Sequence, residues 1–121
     1  MAARRTKRGA TWASVQRLAR RLPGAEEGTS YGTPAFKVRG KLFARLRPEG
    51  RDLVLRMALD DRDVLVDGDP EVFHVTDHYR DVPMVLVRLA KVREDRLAQL
   101  LEHSWRMVAG KRLVAELEAR G

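Results

Sequence analysis

The sequence predicts an α/β (α+β) domain in two layers: a single antiparallel sheet with helices on one face, in the order α-β-β-β-α-β-β-α. Three observations carry this. Apolar residues recur at three- and four-residue spacing near both ends of the chain, which is the period of amphipathic helices. Between those stretches the period falls to two, the alternation of half-buried strands. The strand-like runs are mostly joined by turns too short for crossover connections, so neighbouring strands run antiparallel.

The first helix opens behind Thr11, a capping residue type, and Trp12, Val15, Leu18 and Leu22 form its apolar stripe. Pro23-Gly24 ends it. Ala25–Pro34, rich in Gly, Thr and Ser, reads as a loop. Ala35–Arg39 and Lys41–Leu46 then flank Gly40, and Asp52–Met57 follows the turn at Pro48–Gly50, giving a three-stranded meander. Asp60 or Asp61 can cap a short helix running through Val66, closed by Asp67-Gly68-Asp69-Pro70. Val72–Val75 and Pro83–Leu89 are short strand-like segments joined by a polar loop. A longer helix covers Glu94–Val108, with Leu97, Leu100, Leu101, Ser104, Trp105 and Val108 inward. Gly110 interrupts it before a last turn or two carrying Leu113, Val114 and Leu117. Trp12 and Trp105 lie on apolar stripes and are expected in the core. The helices should cover one sheet face and leave the other open.

Composition narrows the function classes. The 121 residues, 44% hydrophobic, suffice for one core. The absence of cysteine excludes disulfides, thiolate metal sites and cysteine nucleophiles. Uncharged apolar runs such as Met84–Val87 are too short to span a bilayer, and the basic N-terminus lacks the apolar stretch of a secretory signal. A cytoplasmic location with no membrane partner is expected. The net charge of +7 is uneven: residues 1–21 hold seven of the 24 bases and none of the 17 acids, so the rest of the chain is balanced. Residues 1–10 therefore read as a basic arm carrying Arg4, Arg5, Lys7 and Arg8, and residues 11–121 as a single domain.

Several of these segments occur together in one family. Gly28–Ala44, with Gly32-x-Pro34-x-Phe36 leading into Gly40-Lys41-x-Phe43, resembles the N-terminal signature of the MmcQ/YjbR family. Phe73–Tyr79 followed by Met84–Leu89 is similar to its second hairpin, and Leu100–Arg106 to its C-terminal helix. The resemblance covers roughly residues 11–118. It implies a two-layer fold like those of type III secretion chaperones and frataxin-like proteins, and a DNA-binding role through a double-wing arrangement of hairpins. Ala109-Gly110 departs from the Ala-Pro break common in relatives, so the path of the last helix is left open.

The residues themselves point to a basic hairpin. If Phe36, Val38, Leu42, Ala44 and Leu46 share the core face, the turn at Gly40 holds an odd number of residues. Lys37, Arg39, Lys41 and Arg45 then point outward together, with Arg56 beside them. A two-residue turn would instead carry Phe43 inward and Leu42 outward. A basic two-stranded ribbon, helped by the arm, suits the phosphates and grooves of DNA. The rival readings are a plain solvated face, and a protein-interaction or chaperone-like module that pairs through its open sheet face with a protein partner or as a homodimer. The hydroxyls and amides of Gly28–Pro34 can cradle an anion, but the Lys and the helix of a P-loop are missing, which argues against nucleotide hydrolysis.

His74, Asp77 and His78, with His103 elsewhere, are metal-ligand types, yet their strand-end and loop positions suit surface or capping roles better. No metal or other cofactor is expected. Ser30, Ser104 and the histidines lack nucleophile-elbow context, and the adjacent pairs Glu26-Glu27 and Asp60-Asp61 do not resemble an acid and base across a site. No enzymatic activity is expected.

Overall fold

The structure, a computed structural model, describes residues 9–120. The helices are α1 (Trp12–Ala19), α2 (Leu59–Gly68), α3 (Glu94–Ala109) and α4 (Lys111–Ala119). The strands are β1 (Ala25–Ser30), β2 (Thr33–Val38), β3 (Lys41–Leu46), β4 (Asp52–Arg56), β5 (Phe73–His74) and β6 (Met84–Arg88). All six join one antiparallel sheet in the order β1-β2-β3-β4-β6-β5. The α+β architecture is the one expected, with one strand more. β1 occupies most of the segment read as a loop. It is an edge strand whose residues are almost all exposed, so it has no apolar alternation to betray it. α2 also starts two or three residues earlier than expected, with Ala58 rather than Asp60 or Asp61 at its cap. Both aspartates lie inside its first turn, where their negative charges complement the positive end of the helix dipole.

Two tight turns phase the first three strands. Tyr31-Gly32 and Arg39-Gly40 each place two successive residues at positive φ (+52° and +80°, then +51° and +80°), the requirement of a type I′ hairpin turn. The second turn pairs Val38 with Lys41 and Lys37 with Leu42. The register then shifts: Phe36 pairs with Ala44, leaving Phe43 as the extra residue of a β-bulge. Phe43 and Ala44 both bury on the helix side. This corrects the expected odd-residue turn, because Leu42 faces outward and Phe43 joins the core. Arg45, which unbroken alternation from the two-residue turn would aim at the core, is returned to the outer face.

Beside the bulge the β3–β4 pairing stops at Ala44–Leu55, and α3 satisfies the two backbone groups just beyond it. The fully buried Ser104 hydroxyl donates to Phe43 O at 2.6 Å and accepts from Arg56 N at 2.9 Å. Burying a phenylalanine contributes about 2–3 kcal/mol, whereas two unsatisfied buried backbone groups would cost about 1–3 kcal/mol each. Ser104 tips that balance toward the bulge. Trp105, also fully buried, donates its indole N–H to Pro23 O at 2.8 Å and so fastens the end of the α1–β1 connection. Trp12 is only half-buried, its ring 5.6 Å from that of Phe36. The core otherwise gathers Val15, Phe36, Leu55, Phe73, Val87, Leu97 and Leu101 between the sheet and the α1–α3 layer.

Glu94 ties α1 to α3. It accepts from Ser14 Oγ at 2.8 Å and Arg17 Nη2 at 2.6 Å, while Thr11 and Ser14 form the capping box of α1. Ahead of that cap, the Gly9 and Ala10 amides bond to Val92 O and Leu89 O, so the fold takes in two residues before Thr11. At its other end α3 stops at Gly110, whose φ of +85° sets off α4 as a separate helix.

Two expectations follow. Ser104→Ala should lower unfolding stability by about 2–4 kcal/mol in urea titrations, since it strips two buried backbone groups of their partner; unchanged stability would refute the plugging role. The Arg17 guanidinium, then the Ser14 hydroxyl, hold the Glu94 carboxyl below its ordinary 4.5. A depressed carboxylate contributes stability above its unfolded pKa and loses it as the pH falls through the folded one. Glu94→Gln should therefore cost about 0.2–1 kcal/mol at neutral pH, and the deficit should shrink toward zero in urea titrations below the folded pKa.

Candidate nucleic-acid interface

The register decides which cations share the sheet face that points away from α1 and α3. Lys37 (paired with Leu42), Arg45 (paired with Ala35 and Val54) and Arg56 (paired with Met84) lie on that outer face. Lys41 pairs with Val38 and therefore stands on the helix side, at an exposed margin. Arg39 sits in the turn itself and reaches back toward the α3–α4 junction, its Nη1 4.0 Å from where a Cβ on Gly110 would stand. The expected outward row of four is thus corrected to two, Lys37 and Arg45, joined by Arg56. The two-residue turn and the bulge are the reason. Arg4, Arg5, Lys7 and Arg8 lie outside the described residues.

Charge is compensated very differently on the two sides. Around the helices each of several arginines meets a carboxylate: Arg17 with Glu94, Arg20 with Glu27 at 2.7 Å, Arg96 with Asp69 at 2.8 Å, and Arg106 with Glu102 and Glu118. Glu27, held by Gln16 and then Arg20, titrates below its ordinary range in consequence. On the outer face Arg45 donates through Nε to Ser30 O, and Arg56 through Nε to Leu42 O, both at 3.0 Å. Neither makes an ion pair among the described residues. The carbonyls fix these guanidinium groups in place without neutralising them. Glu26, opposite Lys37 across the β1–β2 pair, tempers the field at one end.

The outer face is not left open. Val54 and Leu86 point to it yet are buried, because the β5–β6 connection folds back over the sheet. That connection is clamped from beneath. Arg62 on α2, only 7% exposed, donates to Tyr79 O at 3.0 Å, Arg80 O at 3.0 Å and Val82 O at 3.1 Å. An arginine so buried requires several acceptors, and the three carbonyls supply them.

Between this loop and the sheet lies a cleft of about 570 Å³, lined by Tyr31, Leu42, Arg45, Val54, His78, Tyr79, Val82 and Met84. Its size and mainly apolar walls with a few polar groups suit a small flat ligand. Arg45 stands 5.2 Å from the centre of the Tyr31 ring, close enough for a cation–π contact. Tyr31 is 88% exposed at a left-handed φ that a bulky residue seldom adopts. A recess of about 420 Å³ shares Arg45, His78 and Tyr79 with the cleft and adds Arg47, Pro48 and Thr76. The buried Thr76 Oγ1 has no hydrogen-bond partner among the described residues.

The His74, Asp77 and His78 cluster is not gathered into one site. His74 Nε2 faces Asp52 at 3.1 Å, the exposed Asp77 pairs with Arg80, and the His78 ring packs edge-on against Tyr79 at 4.8 Å. Sequence reasoning reached Tyr31 only as part of the Gly28–Pro34 anion-cradle candidate and did not single out Arg62, Thr76 or Tyr79 as contributors. The Tyr31-Gly32 pair between two extended runs was the available signal for Tyr31, as a hairpin turn type. Nothing in the local pattern marks Arg62, since burial of an arginine depends on a loop closing over it.

The YjbR family model matches residues 20–107, spanning all six strands and most of α3. The chain belongs to the YjbR family. Two uncharacterized proteins, Rv2570 of Mycobacterium tuberculosis and Mb2600 of Mycobacterium bovis, are each 31% identical to it, over 87% of this chain and 93% of theirs. The crystal structure of Deinococcus radiodurans protein DR2400, a DUF419 domain, superposes with a TM-score of 0.73. It covers 89% of this chain and 88% of its own at 21% identity, and so shows the shared fold alone. Every outer-face residue described above falls inside the segment matched to the YjbR model, whereas α4 lies beyond it.

The clamp can be tested in this YjbR domain. Arg62→Met should lower unfolding stability by about 2–4 kcal/mol, because hydrogen bonds to a charged donor contribute about 1.5–3 kcal/mol each and methionine keeps part of the packing. It should also speed amide exchange across residues 77–83, read by mass spectrometry. A protected loop in the variant would show that Arg62 does not hold it.

Proposed function

We propose that this YjbR protein is a cytoplasmic, non-enzymatic nucleic-acid-binding domain that meets the phosphate backbone with its outer sheet face. The observation that carries the reading is the charge asymmetry. Several arginines around the helices, Arg17, Arg96 and Arg106 among them, are matched to carboxylates. Arg45 and Arg56 on the sheet itself are anchored only through backbone carbonyls, and they and Lys37 make no ion pair among the described residues. Anchoring through Nε leaves the outer guanidinium nitrogens for a phosphate, and an immobilised arginine loses less entropy on binding than a free one. The basic arm bearing Arg4, Arg5, Lys7 and Arg8 joins the fold at Gly9, near a second cleft that Arg51, Arg88 and Lys91 line with Ala10. In this reading the arm adds counterion release to the same contact.

The rival, a module that pairs with a protein partner or a second copy through the outer face, would need a contiguous apolar patch there. Val54 and Leu86 are instead buried beneath the loop. The large exposed apolar residues are dispersed: Tyr31 and Val82 at the cleft, Leu59 and Val64 on α2, Met107 on α3. That distribution favours the nucleic-acid reading.

Salt titration of oligonucleotide binding tests it. Three phosphate contacts by Lys37, Arg45 and Arg56 would give a log-affinity against log-salt slope of about −2.7 on duplex or about −2.1 on single strands. Lys37→Gln and Arg56→Gln should each remove about 0.7–0.9 from its magnitude, whereas Lys41→Gln, on the other side of the sheet, should leave it unchanged. A parent protein that binds neither form at low salt overturns the proposal.

A further inference from the structure

We infer that the cleft between β3 and the β5–β6 loop takes one unstacked nucleobase, so that the domain selects single strands over duplex. This rests on the nucleic-acid reading above and names the form of the polymer that the site accepts. A base is a flat aromatic body with polar edges and a phosphate attached a short way off. The cleft offers a complement to each part.

Tyr31 and Tyr79 supply aromatic faces at its rim, and Leu42, Val54 and Met84 an apolar floor. Stacking on aromatic side chains is the common device for holding single strands, because every base has a π-face. Arg45, beside the Tyr31 ring, stands where the backbone phosphate of a stacked base can meet it. At the adjoining recess, which Thr76 lines, its buried Oγ1 has no partner among the described residues. Buried polar groups are nearly always satisfied, and an orphan at a binding recess points to a ligand or a bridging water. Tyr31 gives an independent sign. It keeps a left-handed backbone that glycine or asparagine adopts more easily, and at 88% exposure its ring gains little from packing within the chain. A solvent-facing aromatic held under backbone strain is accounted for by something that stacks on it. Duplex bases are already stacked and paired, and reaching the cleft would require pulling one out of the helix.

The test compares a mixed-sequence single-stranded DNA, its duplex, the same strand carrying abasic positions, and free adenosine monophosphate, all at one salt concentration. Tyr31→Asn is the informative variant, because asparagine tolerates the left-handed φ and removes the ring without endangering the turn. The parent should prefer the single strand to the duplex. Tyr31→Asn should weaken single-strand binding about 5- to 150-fold, the loss expected for one stacked base, and leave duplex binding unchanged. Tyr31→Phe should retain the parent's preference, and abasic substitution should mimic the loss. Equal affinity for single strand and duplex, or an Asn variant that binds like the parent, overturns the base site while leaving the charge reading intact. Adenosine monophosphate bound more tightly than the strand would mark a small-molecule site and overturn the single-strand assignment. Binding of none of the four would remove both.

Discussion

The Ser104 hydroxyl, inserted where β3 and β4 part, is the contact on which the rest of the arrangement turns. It bonds the carbonyl of Phe43, the residue by which β3 exceeds β2, and the Arg56 amide of β4 just past the last β3–β4 pair. With the bulge in place, two adjacent residues, Phe43 and Ala44, enter the core, and the strand resumes its alternation in the opposite phase. Arg45 then emerges on the outer face and Leu46 turns inward. Without it, the two-residue turn at Arg39-Gly40 would direct Arg45 at the helices. A buried hydroxyl on one layer thus determines which charges appear on the far side of the other.

A second polar contact shapes what those charges surround. Arg62 reaches from α2 to three carbonyls of the β5–β6 connection and holds it over Val54 and Leu86. The sheet face becomes a cleft rather than a plane. Its rim has the strained turn of Tyr31 on one side and the ring of Tyr79 on the other, with Arg45 between β2 and β4. Both contacts are buried, polar and specific, and both serve geometry that apolar packing alone would not select.

Most of the layer architecture was legible in the sequence, because each helix and inner strand must bury a periodic apolar stripe. Thr11, the stripe from Trp12 to Leu22, the Glu94 helix and the break at Gly110 are all placed by such local rules. β1 was not, since an edge strand exposed along nearly its whole length has no reason to alternate. The phase of β3 was legible only as a choice: either Leu42 or Phe43 had to face the core. What resolves it is a register shift sustained by Ser104, some 60 residues away in sequence. The outward cations inherit that limit. Lys37 and Arg45 follow from period-two reasoning, while Lys41 and Arg39 depart because the turn is shorter than the pattern of apolar residues suggested. The cleft was beyond reach, for it exists only through the loop that Arg62 secures.

The exposed first strand has a consequence for how copies of the chain meet. An uncovered sheet edge presents unmatched amides and carbonyls that invite another strand to add on, the route to edge-to-edge aggregation. β1 carries Glu26 and Glu27 side by side, one on each face of the sheet. Two molecules aligning along this edge would bring four carboxylates into a single six-residue ladder, where like charges on neighbouring strands repel. The opposite edge, β5, offers only two residues to a newcomer. The domain keeps its two borders unwelcoming by charge at one and by brevity at the other, so growth into a continuous intermolecular sheet is discouraged from either side.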